Sequence, residues 1–350
     1  MNQLFHVIGL MSGTSLDGLD LCYVKFEGDN QFEILAAETI SYEPKFAQKL
    51  KDCYHWNSVD LLAFDVEFGY YLGEKVNEFI SKNAIQDLDF VASHGQTIFH
   101  QPERNFTLQI GHGAAIKSKL NVPIICDFRT QDVILGGQGA PLVPIGDELL
   151  FPQFDACLNL GGFSNISMNR NQTRIAFDIC PVNILLNHYA KILGFDFDRN
   201  GEIASKANVD LKLLNKLNEF EYYQLNHPKS LGFESIEKIY IPLIDSFEIP
   251  TENKIATITQ HIVEQISKTF QENQIQNVLI TGGGAKNQFL IEQLKRNSKT
   301  ELIIPEEKLI DFKEALIFAF LGKLRFQNKI NCLASVTGAK NNHSSGQIFP

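Results

Sequence analysis

The chain has six cysteines, Cys22, Cys53, Cys126, Cys157, Cys180 and Cys332, but no Cys-x-x-Cys pair among them, which excludes the common zinc and dithiol arrangements. Most lie in apolar runs and read as small buried residues, in keeping with a reducing compartment. No basic N-terminal region leads into a long apolar run, so no signal peptide is expected. No stretch of about 18 uncharged apolar residues is present to cross a membrane. Positive charge is scarce: 31 Lys and Arg stand against 41 Asp and Glu, a net charge of -10. Nucleic acid and anionic membranes both need a basic footprint, so neither is expected as a partner. A nucleotide is not excluded, because it needs only local donors.

Several catalytic signatures are missing too. The segment from Gly111 to Ser118 nearly fits a P-loop, but Ile116 stands where the second required glycine belongs. There is no Gly-x-Gly-x-x-Gly, no His-Arg-Asp, no Gly-x-Ser-x-Gly elbow and no His-Glu-x-x-His. His94 and His100 have no third ligand at suitable spacing. They read as packed, hydrogen-bonded residues, and no metal ligand is assigned.

What is present begins with size. The 350 residues, 44% of them apolar, suffice for one large domain or two ordinary ones with substantial cores. Alternation and helical spacing predict strands at 4–10, 19–27 and 32–42, helices at 44–54 and 59–83, and strands at 90–94, 106–110 and 122–126. A Gly/Pro cluster, Gly136 to Pro144, resists both structures and reads as a ligand-side loop. At Ala156 the pattern restarts with strand, Gly161-Gly162 turn and strand, then a strand at 174–178 and a helix from Pro181 to Leu193. Mixed helix and loop follow to Pro250. Helices at 251–273, 287–297 and 311–326 and strands at 278–281 and 302–304 complete the chain. This weak internal echo predicts an α/β protein with two lobes, residues 1–150 and 151–350, the final helix packing back on the first. Ligand loops should lie at strand ends facing a cleft between lobes.

Three small-residue turns punctuate this pattern: Gly13 to Asp20, Gly161 to Asn165, and Gly282-Gly283-Gly284. Such turns let backbone N–H groups approach an anion. In this order they resemble the acetate and sugar kinase, heat-shock ATPase and actin superfamily, which implies a two-lobed actin-like ATPase fold with duplicated ribonuclease H-like lobes. Longer stretches narrow the resemblance. They include Gly9-Leu-Met-Ser-Gly-Thr-Ser-Leu-Asp-Gly18, Ser93-His-Gly-Gln-Thr-Ile98, Asp127-Phe-Arg129, Gly136-Gly-Gln-Gly-Ala-Pro-Leu-Val-Pro144, Asn159-Leu-Gly-Gly-Phe-Ser-Asn-Ile166, Phe177-Asp178, Lys313-Glu314-Ala315 and Val336-Thr-Gly-Ala339. Almost end to end, the chain resembles the anhydro-N-acetylmuramic acid kinases.

The resemblance implies an ATP-dependent enzyme that opens 1,6-anhydro-N-acetylmuramic acid with water and phosphorylates O6, in cell-wall sugar recycling in the cytoplasm. It implies Asp178 as the base that activates water; by position alone Asp178 would more often cap the following helix. ATP phosphates would meet Gly13, Thr14, Ser15, Leu16, Asp17, Gly18, Leu19 and Asp20, with Gly161, Gly162, Ser164 and Asn165 from the other lobe. Gly282, Gly283 and Gly284 would face adenosine. Magnesium is expected with ATP, with Asp17 as an outer-shell partner. Gln96, Thr97, Arg129 and Glu314 are the sugar-side candidates. The guanidinium of Arg129 suits a carboxylate or phosphate, or else a structural pair with Asp127 or Asp132. A homodimer is expected. One departure stands out: Cys180 and Val182 replace two glycines of the family's pattern, where backbone approaches ligand, and would narrow the site, alter the substrate or be accommodated by backbone that never had positive φ. These two residues motivate a sugar kinase of altered substrate as one alternative; a non-catalytic ATP sensor is the other, against which an intact Asp178 argues.

Overall fold

The computed structural model describes residues 3–13, 16–225 and 229–350. Its strands are β1 (Leu4–Ser12), β2 (Gly18–Glu27), β3 (Gln31–Ser41), β4 (Phe90–Gln101), β5 (Phe106–Ile110), β6 (Ile124–Cys126), β7 (Ala156–Leu160), β8 (Phe163–Arg170), β9 (Thr173–Pro181), β10 (Asn277–Thr281), β11 (Glu301–Ile303) and β12 (Gln347–Phe349). They form two mixed sheets with flanking helices, one sheet in each of two compact units. One unit is Met1–Phe151 with Phe312–Pro350, and the other is Pro152–Asp311. The division falls inside the helix Glu307–Phe326, so the segment from Phe312 onward belongs with the first unit.

In the first unit the strand order is β12-β6-β4-β1-β2-β3, with β5 paired to β4. β1, β2 and β3 form an antiparallel meander, while β4 runs parallel to β1 and β6 parallel to β4. β1 is central and covered on both faces, hence its near-continuous apolar sequence. The helix Ser58–Lys82 buries Leu61, Phe64, Phe68, Leu72, Val76 and Phe79 at helical spacing. Asn57 starts it by accepting the N–H groups of Val59 and Asp60, each at 3.0 Å. Small residues seat the helix Glu307–Phe326 on the sheet: a Cβ on Gly9 would collide with the Ala315 carbonyl oxygen.

The second unit repeats the scheme in the order β11-β10-β7-β8-β9. β7, β8 and β9 form the meander; β10 and β11 add in parallel on the other side of β7. Its core packs Leu158, Leu160 and Ile166 of the sheet against Leu185, Tyr189, Ile255, Ile258, Ile262 and Ile266 of the helices. Back in the first unit, two short helices, Thr130–Ile134 and Val143–Leu150, flank the Gly/Pro loop, and β12 pairs with β6. Sequence pattern alone revealed none of these three elements.

Candidate active site

In the first unit, the parallel pairing of β1 with β4 sets Ser12 opposite Gln96. The Ser12 hydroxyl donates to Gln96 Oε1 at 2.5 Å and lies 2.6 Å from the Tyr42 hydroxyl. Because Ser12 has one proton, Tyr42 is the donor of the second bond. The Gly13 carbonyl accepts the Leu16 N–H at 3.2 Å, and Leu16 is left-handed at φ 58°. Thr14 and Ser15 lie outside the described residues. Leu16 and Leu19 turn into the core, Asp17 is exposed, and Asp20 accepts the Thr39 hydroxyl at 2.5 Å. Thr97 is half-buried and accepts Gln109 Nε2 at 3.3 Å.

Beyond β6, Arg129 donates Nε to His94 Nε2 at 2.9 Å and Nη1 to the Gly139 carbonyl at 2.7 Å. His94 Nδ1 contacts the Gly95 carbonyl at 2.9 Å, so the ring is the neutral Nδ1–H tautomer. Burial, then the charge of Arg129, holds this histidine well below its ordinary value. The alternative reading of Arg129 is corrected: among the described residues it forms no ion pair with Asp127 or Asp132. Asp127 accepts the Thr130 N–H, and Asp132 accepts Gly139 N–H, Thr337 and Cys332. Neutral acceptors leave the guanidinium charge available. Glu314 is solvent-exposed, yet desolvation by the surrounding protein raises its carboxyl; Arg129 opposes that rise and Asp20 adds to it. Asp20, Arg129 and Glu314 therefore share one electrostatic neighbourhood.

The second unit gathers a different set. The β8–β9 hairpin places Asp178 opposite Asn165 and Cys180 opposite Ser164. Asp178 Oδ2 accepts the Leu231 N–H at 2.9 Å, and the Asp178 carbonyl accepts the Tyr222 hydroxyl at 2.6 Å. Partial burial raises the Asp178 carboxyl, and the Leu231 N–H partly offsets the rise. Asp178 does not cap a helix. The helix Asn183–Ile192 begins after Val182, and the N–H groups of Val182, Asn183 and Ile184 donate to the Gly161 and Gly162 carbonyls.

Gly282 is held at φ 82°, and a Cβ there would collide with Asn159 Oδ1 and sit 2.9 Å from the Leu160 backbone. The glycine triplet thus lies against the end of β7 where the Gly161-Gly162 turn begins. Asn183, unassigned from sequence, joins them by donating Nδ2 to the Leu160 carbonyl at 3.1 Å. A cavity of about 450 Å³ opens beside Gly283, with Asn183, Phe197, Arg199 and Lys286 in its walls. Phe197 and Arg199 lie in the irregular stretch after Gly194, where the sequence carries no spacing that marks a ligand.

Cys180 and Val182 are both fully buried in the hydrophobic core, and Val182 has negative φ, -125°. Of the outcomes open for them, this supports accommodation by a backbone that needs no positive φ, because both side chains point into packing. Cys180 also meets the Ser164 hydroxyl at 3.3 Å, so Ser164 is committed to β9 rather than exposed.

The model of one family, anhydro-N-acetylmuramic acid kinase, matches residues 5–350. The chain belongs to the anhydro-N-acetylmuramic acid kinase family. A family kinase from Caldanaerobacter subterraneus subsp. tengcongensis is 31% identical over 382 residues, covering 98% of this chain and 96% of the relative. Family kinases from Haemophilus influenzae and Clostridioides difficile are 33% and 34% identical, each covering at least 98% of both chains. Component A of the (R)-2-hydroxyglutaryl-CoA dehydratase of Acidaminococcus fermentans superposes on 90% of this chain and 96% of its own, at 13% identity and a TM-score of 0.48. That likeness is too slight to bear on function. Among the described residues of this family member, no helix is long and apolar enough to cross a membrane.

Proposed function

We propose that this member of the anhydro-N-acetylmuramic acid kinase family opens the 1,6-anhydro bridge of its sugar with water and transfers the ATP γ-phosphoryl group to O6, with Asp178 as the base. The observation that carries this reading is the β8–β9 hairpin. It sets a carboxylate of raised proton affinity opposite Asn165, beside the Gly161-Gly162 turn. Asp178 takes a proton from water as its oxygen bonds to C1. The C1–O6 bond breaks, O6 attacks the γ-phosphorus, and ADP departs. The protein supplies position and charge stabilisation. N-acetylmuramic acid 6-phosphate is the product.

In this reading the Gly13 to Asp20 turn and Gly161, Gly162 and Asn165 approach the phosphates, while Ser164, with its hydroxyl bonded to Cys180, holds the hairpin that carries them. Gly282 to Gly284 and the adjoining cavity take the adenosine. Gln96, Thr97, Arg129 and Glu314 hold the sugar, with the Arg129 guanidinium, which is in no direct ion pair among the described residues, toward an anionic group. Magnesium would arrive with the nucleotide, held largely by phosphates and waters, and Asp17, an exposed carboxylate, suits its outer shell. The matching strand orders of the two sheets support duplicated ribonuclease H-like lobes in an actin-like, two-lobed arrangement. A cytoplasmic homodimer completes the proposal; light scattering checks the second copy.

Incubation with ATP, the anhydro sugar and oxygen-labelled water tests the coupling. Mass spectrometry should find label at C1 and phosphate at O6 of one molecule. Phosphorylation without label at C1 would refute hydrolytic opening.

A further inference from the structure

We propose that Asp132, Cys332 and His343 form a binding site for a zinc-class divalent metal ion behind the Gly136–Pro144 loop. The three side chains are 0%, 1% and 7% exposed, and their ligand atoms lie within 4.8 Å of one another. His343 Nδ1 contacts the Asn341 carbonyl at 3.0 Å, which fixes the proton on Nδ1 and leaves the Nε2 lone pair facing inward. That Nε2 is buried without a hydrogen-bond partner among the described residues. It points at Asp132 Oδ1 across 3.6 Å, too far for a hydrogen bond. Asp132 Oδ1 accepts the Thr337 hydroxyl at 2.7 Å and the Cys332 thiol, so a cation that takes the place of the thiol proton would sit between Oδ1 and the open Nε2. Oxygen and nitrogen ligands of a tetrahedral zinc ion lie about 3.4 Å apart, given bonds of about 2.0–2.1 Å.

Cys332 completes the set. Its Sγ lies 3.0 Å from Asp132 Oδ1, and an opening of about half an ångström would admit the ion. Cys332 and His343 are held together by a backbone bridge, with N–H to carbonyl distances of 3.1 and 3.2 Å in the two directions. The ligand pair is therefore positioned by main chain. Metal binding requires the thiolate, so one proton passes from Cys332 to solvent. Carboxylate, thiolate and a doubly charged ion then sum to zero, which suits a buried position. No redox step is involved. Three protein ligands leave a fourth position for water.

The site reaches the proposed sugar side in one step. Asp132 Oδ2 accepts the Gly139 N–H at 2.7 Å, and the Gly139 carbonyl accepts Arg129 Nη1 at 2.7 Å. An ion on Asp132 would fix the loop that aims Arg129. That consequence rests on the proposed kinase reading; metal binding itself does not.

The test uses the full chain, stripped with a chelator and titrated with Co²⁺ and then Zn²⁺. The expected result is one equivalent bound, a thiolate-to-cobalt charge-transfer absorption that Zn²⁺ bleaches, and one proton released per ion near neutral pH. Cys332→Ser should abolish the absorption, and His343→Gln should weaken Co²⁺ binding at least tenfold. If Cys332→Ser does not fold, His343→Gln alone carries the comparison. Absence of the absorption in the natural chain, or binding unchanged in His343→Gln, overturns the proposal. None of these readouts depends on turnover.

Discussion

Replacing Lys313 by Met should unfold the first unit at a markedly lower temperature. Lys313 Nζ lies 2.7 Å from Asp147 Oδ1, with side chains only 8% and 5% exposed. Nζ also sits 5.7 Å above the Phe151 ring. The pair joins the helix Val143–Leu150 to the helix Glu307–Phe326, one residue from Glu314. At such burial solvent screens little, and removing Lys313 takes a close cation from the buried Asp147 carboxylate. Breaking a buried pair costs about 3–5 kcal/mol. For a unit of this size, each kcal/mol moves the midpoint roughly 2–4 °C, so a fall of about 6–20 °C is expected. Thermal unfolding followed by circular dichroism gives the single-variant value. A double variant, Asp147→Leu with Lys313→Met, should recover to within about 2 kcal/mol of the natural chain, because the buried carboxylate leaves together with its cation. A loss below about 1 kcal/mol in the single variant, or no recovery in the double, would refute the reasoning.

Three other outcomes follow from the second unit and the sugar side. His261, buried between Tyr223 and Asn218, is pushed down to about 3. The unfolded chain binds that proton from about pH 6.5, so stability should fall by about 1.4 kcal/mol per pH unit between there and pH 3, and urea titrations of His261→Gln should lack this slope. Val182→Gly should cost about 2–5 kcal/mol in urea denaturation and leave sugar preference unchanged, since the side chain fills core; a broadened substrate range would contradict the packing. If Asp178 is the base, as proposed, it must be ionised to act, and because burial raises it the acid limb of kcat/KM should sit above the ordinary aspartate value of about 3.9. That limb should persist in Glu314→Gln if it belongs to Asp178.

Much of this was legible because local physics agreed with the fold. The hairpin of β1 and β2, the helix Ser58–Lys82 and the helix Thr251–Glu272 all declare themselves by apolar period and end where capping or turn residues stand. The Gly161-Gly162 and Gly282–Gly284 turns were legible as well, and Gly282 has no substitute at φ 82° against Leu160. Tertiary choices were not. Nothing local tells Arg129 to prefer His94 and Gly139 over two nearby aspartates, because strand order brings those acceptors to it. The inward direction of Cys180 and Val182 depends on the pairing of β9 with β8, which is set by the whole sheet. The Asp132–Cys332–His343 cluster joins residues about two hundred positions apart and left no spacing to read.

The role of Asp178 is tested most directly by Asp178→Asn, in which calorimetric ATP binding and sugar turnover are measured on one preparation. Nucleotide affinity should stay within about twofold of the natural chain, while kcat should fall by roughly 10²–10⁴ for loss of a positioned base. Turnover equal to that of the natural chain, with ATP still bound, would contradict the assignment.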